Sequence, residues 1–241
     1  MSKQFFCAAM VALTVLVMPG AYAQAPAAPS SPQAAQAAEV KTFEWTRKVA
    51  EKNDPGAQFN LGLYYEKGMG VPANLAMART WYQKAADQGN VKAQFNLGLL
   101  HMAGEGGPKD ALAAAVLFKM AAEKGHVDAM HNLGIMHETG NGIPKDPKIA
   151  YFWLLKGAEA GSVLSQVNVA SMLRIGRGCE RDFVQSAAWY LKAAEAGNAF
   201  AQERIGHMYA AGQGVPRDPV QAAKWAGLSK EATNRISNVT N

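Results

Sequence analysis

A 36-residue repeat is the feature of this sequence that most restricts its fold. The motif Ala-Gln-Phe-Asn-Leu-Gly at residues 57–62 is repeated unchanged at 93–98 and as Ala-Met-His-Asn-Leu-Gly at 129–134. More divergent copies begin at Ser165 and Ala201, so five units follow one another without gaps. Repeats of this length are typical of solenoids, in which each unit buries its apolar side against its neighbours.

Each unit has the pattern of two helices joined by a glycine-rich turn. In unit one, Ala57, Leu61 and Tyr65 are four residues apart and therefore share one face of a helix. The paired glycines Gly68 and Gly70 then break this first helix. The second helices have N-cap candidates that can accept from free backbone N–H groups: Asn74, Asp110, Asp146, Asp182 and Asp218. We therefore predict an all-α fold of helix pairs.

Equivalent positions in the five units predict how the helices pack. Large apolar residues occupy one position of the second helices and are predicted to be buried: Trp81, Leu117, Trp153, Trp189 and Trp225. Glycine recurs in the middle of the first helices, as at Gly62, where it costs about 1 kcal/mol relative to alanine. We expect it to allow close approach of two helix backbones. Trp45 lies 36 residues before Trp81, so residues 39–56 are predicted to form a capping helix.

The N-terminal segment has the features of a secretory signal peptide. Lys3 precedes an apolar run from Phe5 to Met18, and residues 21–23 form a small-x-small cleavage site. A retained membrane anchor is the alternative, but this run has about 14 residues and a spanning helix needs roughly 20. We predict cleavage after Ala23, a periplasmic or secreted protein, and no membrane span after cleavage.

The remaining segments complete the predicted domain organisation. Residues 24–38 contain only Ala, Pro, Gln and Ser, so we predict a flexible linker without a packed core. The segments are the signal peptide (1–23), the linker (24–38), the capping helix (39–56), repeats at 57–92, 93–128, 129–164, 165–200 and 201–233, and a tail (234–241). We expect this tail to be frayed.

Charge and cysteine content narrow the class of partner. The net charge of +5 falls to +4 when Lys3 is removed with the signal peptide. Lys and Arg are scattered among Asp and Glu rather than clustered in a stripe, so no nucleic-acid partner is predicted. Cys179 would be the only cysteine after cleavage, which excludes an internal disulfide.

The five histidines are the first candidates for a catalytic or metal site. His101 and His137 occupy equivalent positions in adjacent units, where packed helices lie about 9 to 10 Å apart, so they could share a metal only with further ligands. The favoured interpretation is that they replace Tyr65 and Tyr209 as partly buried rings. The glycine-rich turns lack the Lys and Ser/Thr of a phosphate-binding loop. We predict no catalytic residue, metal or cofactor.

The repeated motifs resemble those of the Sel-one-like repeat family, a branch of the tetratricopeptide superfamily. The resemblance rests on Ala-Gln-Phe-Asn-Leu-Gly, Gly-x-Gly-Val-Pro, Asp-x-x-x-Ala and Trp-Tyr-x-Lys-Ala-Ala, and covers residues 43–230. It implies a right-handed α-solenoid of antiparallel helix pairs that serves as an interaction scaffold, and exported bacterial members are often envelope adaptors or regulators. The alternative is binding or hydrolysis of cell-wall sugars or β-lactams, as in a cysteine-rich secreted branch whose paired cysteines this chain lacks.

The resemblance also implies where a partner binds. In tetratricopeptide-like solenoids the first helices line a concave groove, and the equivalent residues here are Phe59, Leu63, Glu66, Phe95, Leu99, Met102, His131, Ile135, Glu138, Val167, Arg174, Glu203 and His207. These residues change from apolar in units one and two to polar and charged in units four and five. Such a groove fits a protein or peptide segment with an apolar end, and an envelope protein is the predicted partner. The alternative for Phe59 and Phe95 is packing between units.

Overall fold

Helix pairs account for almost all of the chain that the structure describes. The computed structural model describes residues 31–239, and side chains as far as residue 235. Its helices are α1 (Pro32–Ala50), α2 (Pro55–Lys67), α3 (Leu75–Asp87), α4 (Val91–Ala103), α5 (Ala111–Glu123), α6 (Val127–Thr139), α7 (Pro147–Glu159), α8 (Val163–Ile175), α9 (Phe183–Glu195), α10 (Ala199–Ala211) and α11 (Pro219–Val239). Extensive contacts join consecutive helices along this series. The predicted α-solenoid is confirmed, with α2, α4, α6, α8 and α10 as the first helices of the five units.

Side-chain caps define where the helices begin. The five predicted caps of the second helices are confirmed; the Asp110 carboxylate, for example, accepts from the backbone N–H of Ala113 at 2.9 Å. The first helices also have capping side chains, which the sequence analysis did not identify: Asp54, Asn90, His126, Ser162 and Asn198. Both helices of each unit therefore start at a residue that satisfies free N–H groups.

The two glycines of each turn have different roles. Gly104 ends α4 in the left-handed conformation, with φ 77°, as is common for a helix C-cap. Gly106, with φ 68°, lies against the backbone carbonyl of Leu75, the first residue of the second helix in the preceding unit. A Cβ atom at Gly106 would overlap that carbonyl. The equivalent contacts recur at Gly70 with Glu39, Gly142 with Ala111, Gly178 with Pro147 and Gly214 with Phe183. The turn of each unit is thus placed by the unit before it.

The glycine in the middle of the first helix makes room for a side chain. A Cβ atom at Gly98 would lie 2.7 Å from the Phe118 ring, and one at Gly134 would lie 2.6 Å from Cγ of Leu154. In units one to three the space is filled by a large side chain of the second helix, which corrects the expectation that this position brings two helix backbones together. In unit five the expectation holds, because a Cβ atom at Gly206 would lie 3.3 Å from the backbone carbonyl oxygen of Ala222. Unit four has Ala170 at this position.

The tryptophan column is buried in four of the five units. Trp81, Leu117, Trp153 and Trp225 are all buried, whereas Trp189 is half-buried. Trp45 is 67% exposed, and α1 instead buries Phe43, Thr46 and Ala50. Trp81 packs against Phe43 and Ala50 of α1, but α1 is the first helix of the described residues, so Trp45 has no equivalent helix to pack against there.

The two ends of the solenoid differ from the predicted boundaries. Helix α1 starts at Pro32, which places residues 32–38 of the expected linker in the helix. Alanine and glutamine favour helix, and Ser31 caps it by accepting from the N–H of Ala34 at 3.1 Å. At the other end the backbone is helical through Val239, so the expected tail continues α11. Thr233 stands where Gly197 ends the preceding second helix, and no left-handed cap stops the helix there. The predicted signal peptide lies outside the described residues.

A buried glutamine column joins successive units. The side-chain amide nitrogens of Gln58, Gln94, Gln166 and Gln202 donate to the carbonyls of Ala50, Ala86, Ala158 and Ala194 at 3.1 to 3.3 Å. Each of these carbonyls belongs to the last turns of the preceding second helix, where backbone acceptors lack helical partners. Unit three has Met130 at this position and makes no such bond.

The histidine cap of α6 makes stability depend on pH. Nδ1 of His126 accepts from the N–H of Ala129 at 3.3 Å, and the ring stacks on Phe95 with centroids 4.3 Å apart. Burial lowers the pKa of His126 below its ordinary value of about 6.5, because the neutral ring is favoured in the folded state. The unfolded chain therefore binds more protons between the two pKa values, so stability falls as pH drops below about 6.5 and levels off below the folded-state pKa of His126.

We expect His126→Asn to reduce the loss of stability between pH 7.5 and pH 5. Asparagine caps α4 and α10 at the equivalent position and does not titrate. Urea unfolding of both proteins at the two pH values measures the effect. Burial also lowers the pKa values of His101 and His131, so part of the pH dependence should remain in the variant. An unchanged pH dependence would contradict this role of His126.

Candidate functional site

The predicted groove residues lie on the first helices. Some of them line two clefts, and between the clefts the side chains of adjacent units contact each other. We call the surface that these residues form on α2, α4, α6, α8 and α10 the first-helix face. Within the described residues, no helix is long and apolar enough to cross a membrane.

The N-terminal cleft lies between α2 and α4 and has a volume of about 360 Å³. It brings together the predicted residues Glu66, Leu99 and Met102 and adds Asn96 and Glu105, which the sequence analysis did not assign to the groove. Leu99 is 41% exposed, so an apolar surface is available beside two carboxylates. This combination suits a segment that carries an apolar and a basic side chain.

Phe59, Leu63 and Phe95 do not line this cleft. The Phe59 ring contacts Tyr82 at a centroid distance of 5.7 Å, and Leu63 packs with Phe59 against the core of units one and two. Phe95 contacts Phe118 at 5.7 Å and stacks on His126, which caps α6, the first helix of the next unit. The alternative interpretation, packing between units, therefore describes the two phenylalanines better than an open groove.

The middle of the first-helix face is occupied by contacts between units. Nδ1 of His131 lies 3.0 Å from the Ser165 hydroxyl, and Oε1 of Glu138 forms an ion pair with Nε of Arg177 at 2.8 Å. Ile135 and Val167 are partly buried against the cores of units three and four. These four predicted residues hold adjacent units together and offer fewer free groups to a partner.

The C-terminal cleft lies between α8 and α10 and has a volume of about 190 Å³. The predicted residues Arg174 and His207 line it together with Tyr190 and Arg204. Glu203 forms a 3.7 Å contact with His207 and lines a neighbouring cleft of about 470 Å³ between α10 and α11. Arg204 was missed because it occupies a position that is asparagine in the other four units, and that departure from the repeat is the signal that marks it.

Contacts with neighbouring residues account for the partly buried histidines and for the cysteine. Nδ1 of His101 lies 2.7 Å from the guanidinium of Arg79. The pKa of His101 is lowered mainly by burial and also by the positive charge of Arg79. His137 lies in another cleft, of about 290 Å³, between α5 and α7, together with Val116, Ile149 and Trp153. Burial raises the pKa of the Cys179 thiol, so little reactive thiolate is present at neutral pH. Within the described residues, no three His, Cys, Asp or Glu side chains converge as metal ligands would.

Comparison with protein families and solved structures identifies the repeat. The model of the Sel1 repeat matches residues 55–90, 91–126, 127–162, 163–198 and 199–234. These segments start two residues before the predicted units, where the first helices begin. A search of curated proteins found no match to this chain.

Two solved structures share both sequence and architecture with the chain. A protective antigen of uropathogenic Escherichia coli strains that displays an SLR fold is 36% identical, with a TM-score of 0.76 over 79% of this chain and 41% of that one. This chain thus spans less than half the length of the antigen. A Sel1 repeat protein from Oxalobacter formigenes is 31% identical, with a TM-score of 0.74 over 82% and 84% of the two chains. The chain belongs to the Sel1 repeat family, whose members are generally non-catalytic scaffolds for protein–protein interaction.

Proposed function

We propose that this protein is an exported scaffold of the cell envelope that holds a segment of a partner protein along its first-helix face. The N-terminal cleft is the observation that carries the proposal, because exposed Leu99 and half-buried Met102 lie there beside Glu66 and Glu105. A second cleft of opposite charge, with Arg174 and Arg204, lies further along the same face. An extended or helical segment that reaches both clefts would be recognised by its order of apolar and charged side chains.

Export is the part of the proposal that rests on sequence. Residues 1–23 have the charge, apolar run and cleavage site of a signal peptide. Cell fractionation, with N-terminal sequencing of the released protein, tests this assignment. A chain that starts at Gln24 outside the cytoplasm supports it, and an intact chain in the cytoplasm contradicts it.

We further propose that the protein acts by binding rather than by catalysis. Its partly buried histidines are engaged by Arg79, Ala129 and Ser165, or by neighbouring apolar side chains, and the Cys179 thiol is held protonated. Turnover of a chromogenic β-lactam by the purified protein would contradict this proposal. No observation favours the cell-wall or β-lactam alternative.

Site-specific crosslinking in cells tests the use of the first-helix face. A photoreactive residue at Leu99 lies in the N-terminal cleft, and one at exposed Lys192 on α9 provides the control. We expect Leu99 to capture a discrete envelope protein that Lys192 does not capture. We also expect Met102→Asp to reduce this capture severalfold, since a charge would replace an apolar contact in the same cleft. Equal capture of the same proteins at both positions would contradict the proposal.

A further inference from the structure

Two tyrosines in equivalent positions have different charged neighbours. Tyr82 in unit one and Tyr190 in unit four are three repeats apart, and both are fully buried in the second helix. The Tyr82 hydroxyl donates to a carboxylate oxygen of Glu66 at 2.6 Å and accepts from the amide nitrogen of Asn96 at 3.3 Å. Unit one therefore supplies its own carboxylate to this location on the first-helix face.

Unit four replaces that carboxylate with positive charge. Arg174 occupies the position of Glu66, and Arg204 occupies the position of Asn96. One negative charge beside the tyrosine in unit one thus becomes two positive charges beside Tyr190. The Tyr190 hydroxyl instead lies 2.7 Å from the Ser171 hydroxyl, so it does not engage either guanidinium.

The two guanidinium groups have unused hydrogen-bonding capacity. Nε of Arg174 and Nε of Arg204 are both buried and make no hydrogen bond, and neither side chain forms an ion pair with a described residue. The described contact of Arg204 is with the face of the Phe200 ring, 4.7 Å from its centroid. On the same face, Oε1 of Glu138 pairs with Arg177, and Glu203 lies against His207. Buried donors without an acceptor are unfavourable, so an acceptor that a ligand brings into this cleft would be favoured.

We infer that Arg174 and Arg204 form a binding site for a carboxylate group of the partner segment. The inference rests on the proposed function, because it adds the chemistry of the partner at the C-terminal end of the first-helix face. A guanidinium presents a planar set of donors that matches the two oxygens of a carboxylate, and two such groups surround it from different helices. The cleft of about 190 Å³ is small, and Met208 and Ala211 give it an apolar wall that can cover the carbon attached to the carboxylate.

Two short probes distinguish the possible sources of the carboxylate. Acetyl-Ala-Glu-amide carries a side-chain carboxylate, and acetyl-Ala-Ala carries a C-terminal carboxylate. Each is titrated into the purified, ¹⁵N-labelled protein at low ionic strength while the arginine Nε–Hε resonances are followed by NMR. We expect the resonances of Arg174 and Arg204 to shift together and to saturate in the millimolar range for at least one probe, as for weak charge-assisted binding. The probe that binds more tightly identifies the source.

Variants that copy unit one provide the matched test. Arg204→Asn should weaken carboxylate binding about tenfold. Arg174→Glu combined with Arg204→Asn should abolish it. This double variant places Glu and Asn beside Tyr190, as Glu66 and Asn96 lie beside Tyr82, so the fold already accommodates the combination. Arg217→Gln, at an exposed position outside the cleft, should leave binding unchanged. Shifts at Arg174 and Arg204 that do not saturate, or that equal those of Arg217, would overturn the inference. Tighter binding of inorganic phosphate than of either carboxylate would overturn it in favour of a phosphate site.

This titration needs no partner protein, so it separates the two proposals. Carboxylate binding without specific crosslinking at Leu99 would support the carboxylate site at Arg174 and Arg204 and contradict the proposed scaffold role. Specific crosslinking at Leu99 without carboxylate binding would retain the scaffold role and reject the site.

Discussion

Trp153→Ala is expected to lower the free energy of unfolding by about 3 to 5 kcal/mol, the usual cost of removing a large buried ring. Trp153 is 8% exposed and packs with Ala115 of α5 and Leu133 of α6, so its ring joins two units. Removal of the ring leaves a cavity between helices that are held at their spacing by other contacts. Urea unfolding followed by circular dichroism measures the effect.

The neighbouring Phe152 is the control for this substitution. Phe152 is 48% exposed and touches the edge of Trp153, so Phe152→Ala should cost about 1 kcal/mol or less. A similar loss for both variants would mean that the second helix buries a different face. A loss below about 1 kcal/mol for Trp153→Ala would also contradict the assigned packing.

Gly106→Ala is expected to lower the free energy of unfolding by about 2 to 4 kcal/mol. Two effects add at this position. An alanine in the left-handed conformation costs about 1 to 2 kcal/mol, and its Cβ would overlap the Leu75 carbonyl of the preceding unit. Relief of the overlap requires the turn to move away from α3, which weakens the contact between units one and two. Urea unfolding of the purified variant gives the value.

Gly125→Ala isolates the conformational part of this cost. Gly125 also has a positive φ, of 90°, but a Cβ there would meet nothing within 4 Å. Its alanine variant should therefore lose only about 1 to 2 kcal/mol, the cost of the left-handed conformation alone. Equal losses at Gly106 and Gly125 would show that the contact with Leu75 contributes nothing.

The fold could be predicted because its determinants recur at the same position of every unit. Asp110, Gly104 and Trp153 each represent a column whose residue type has one main structural use: cap, turn or buried ring. Repetition distinguishes such residues from chance occurrences. The start of α1 could not be predicted in the same way. Residues 32–38 belong to no repeat, and a run of alanine and glutamine is compatible with both a helix and a flexible segment.

Contacts between units could not be read from the columns. The role of Gly106 depends on its distance from Leu75, and the role of Gln94 depends on the Ala86 carbonyl, which lies in another unit. The repeated motif contains Gln94, and the paired glycines recur in every unit, but repetition alone gives no distance by which to pair either residue with its partner. Phe95 shows the same limit, since a position on the first helix does not reveal that its ring stacks on His126.

At the candidate site, the informative residues are those that differ from the repeat. Arg174 was identified through its position on the first helix, whereas Arg204 was overlooked as an exception in an asparagine column. Residues that preserve the repeat maintain the fold, and residues that depart from it on an otherwise constant surface are free to serve recognition. A search for such departures adds Arg204 to the groove residues from sequence alone.

Because the second glycine of each turn lies against a backbone carbonyl of the preceding unit, the rotation between neighbouring units depends on main-chain atoms common to all of them. Side chains on the first-helix face make no part of that contact. The charge at one position of this face can therefore differ between units, as between Glu66 and Arg174, while the contact of the turn with the preceding unit recurs. The turn contact and the charge of the two clefts are therefore set by different residues, so such a chain can acquire a new ligand preference by substitution within a cleft while this contact between units is kept.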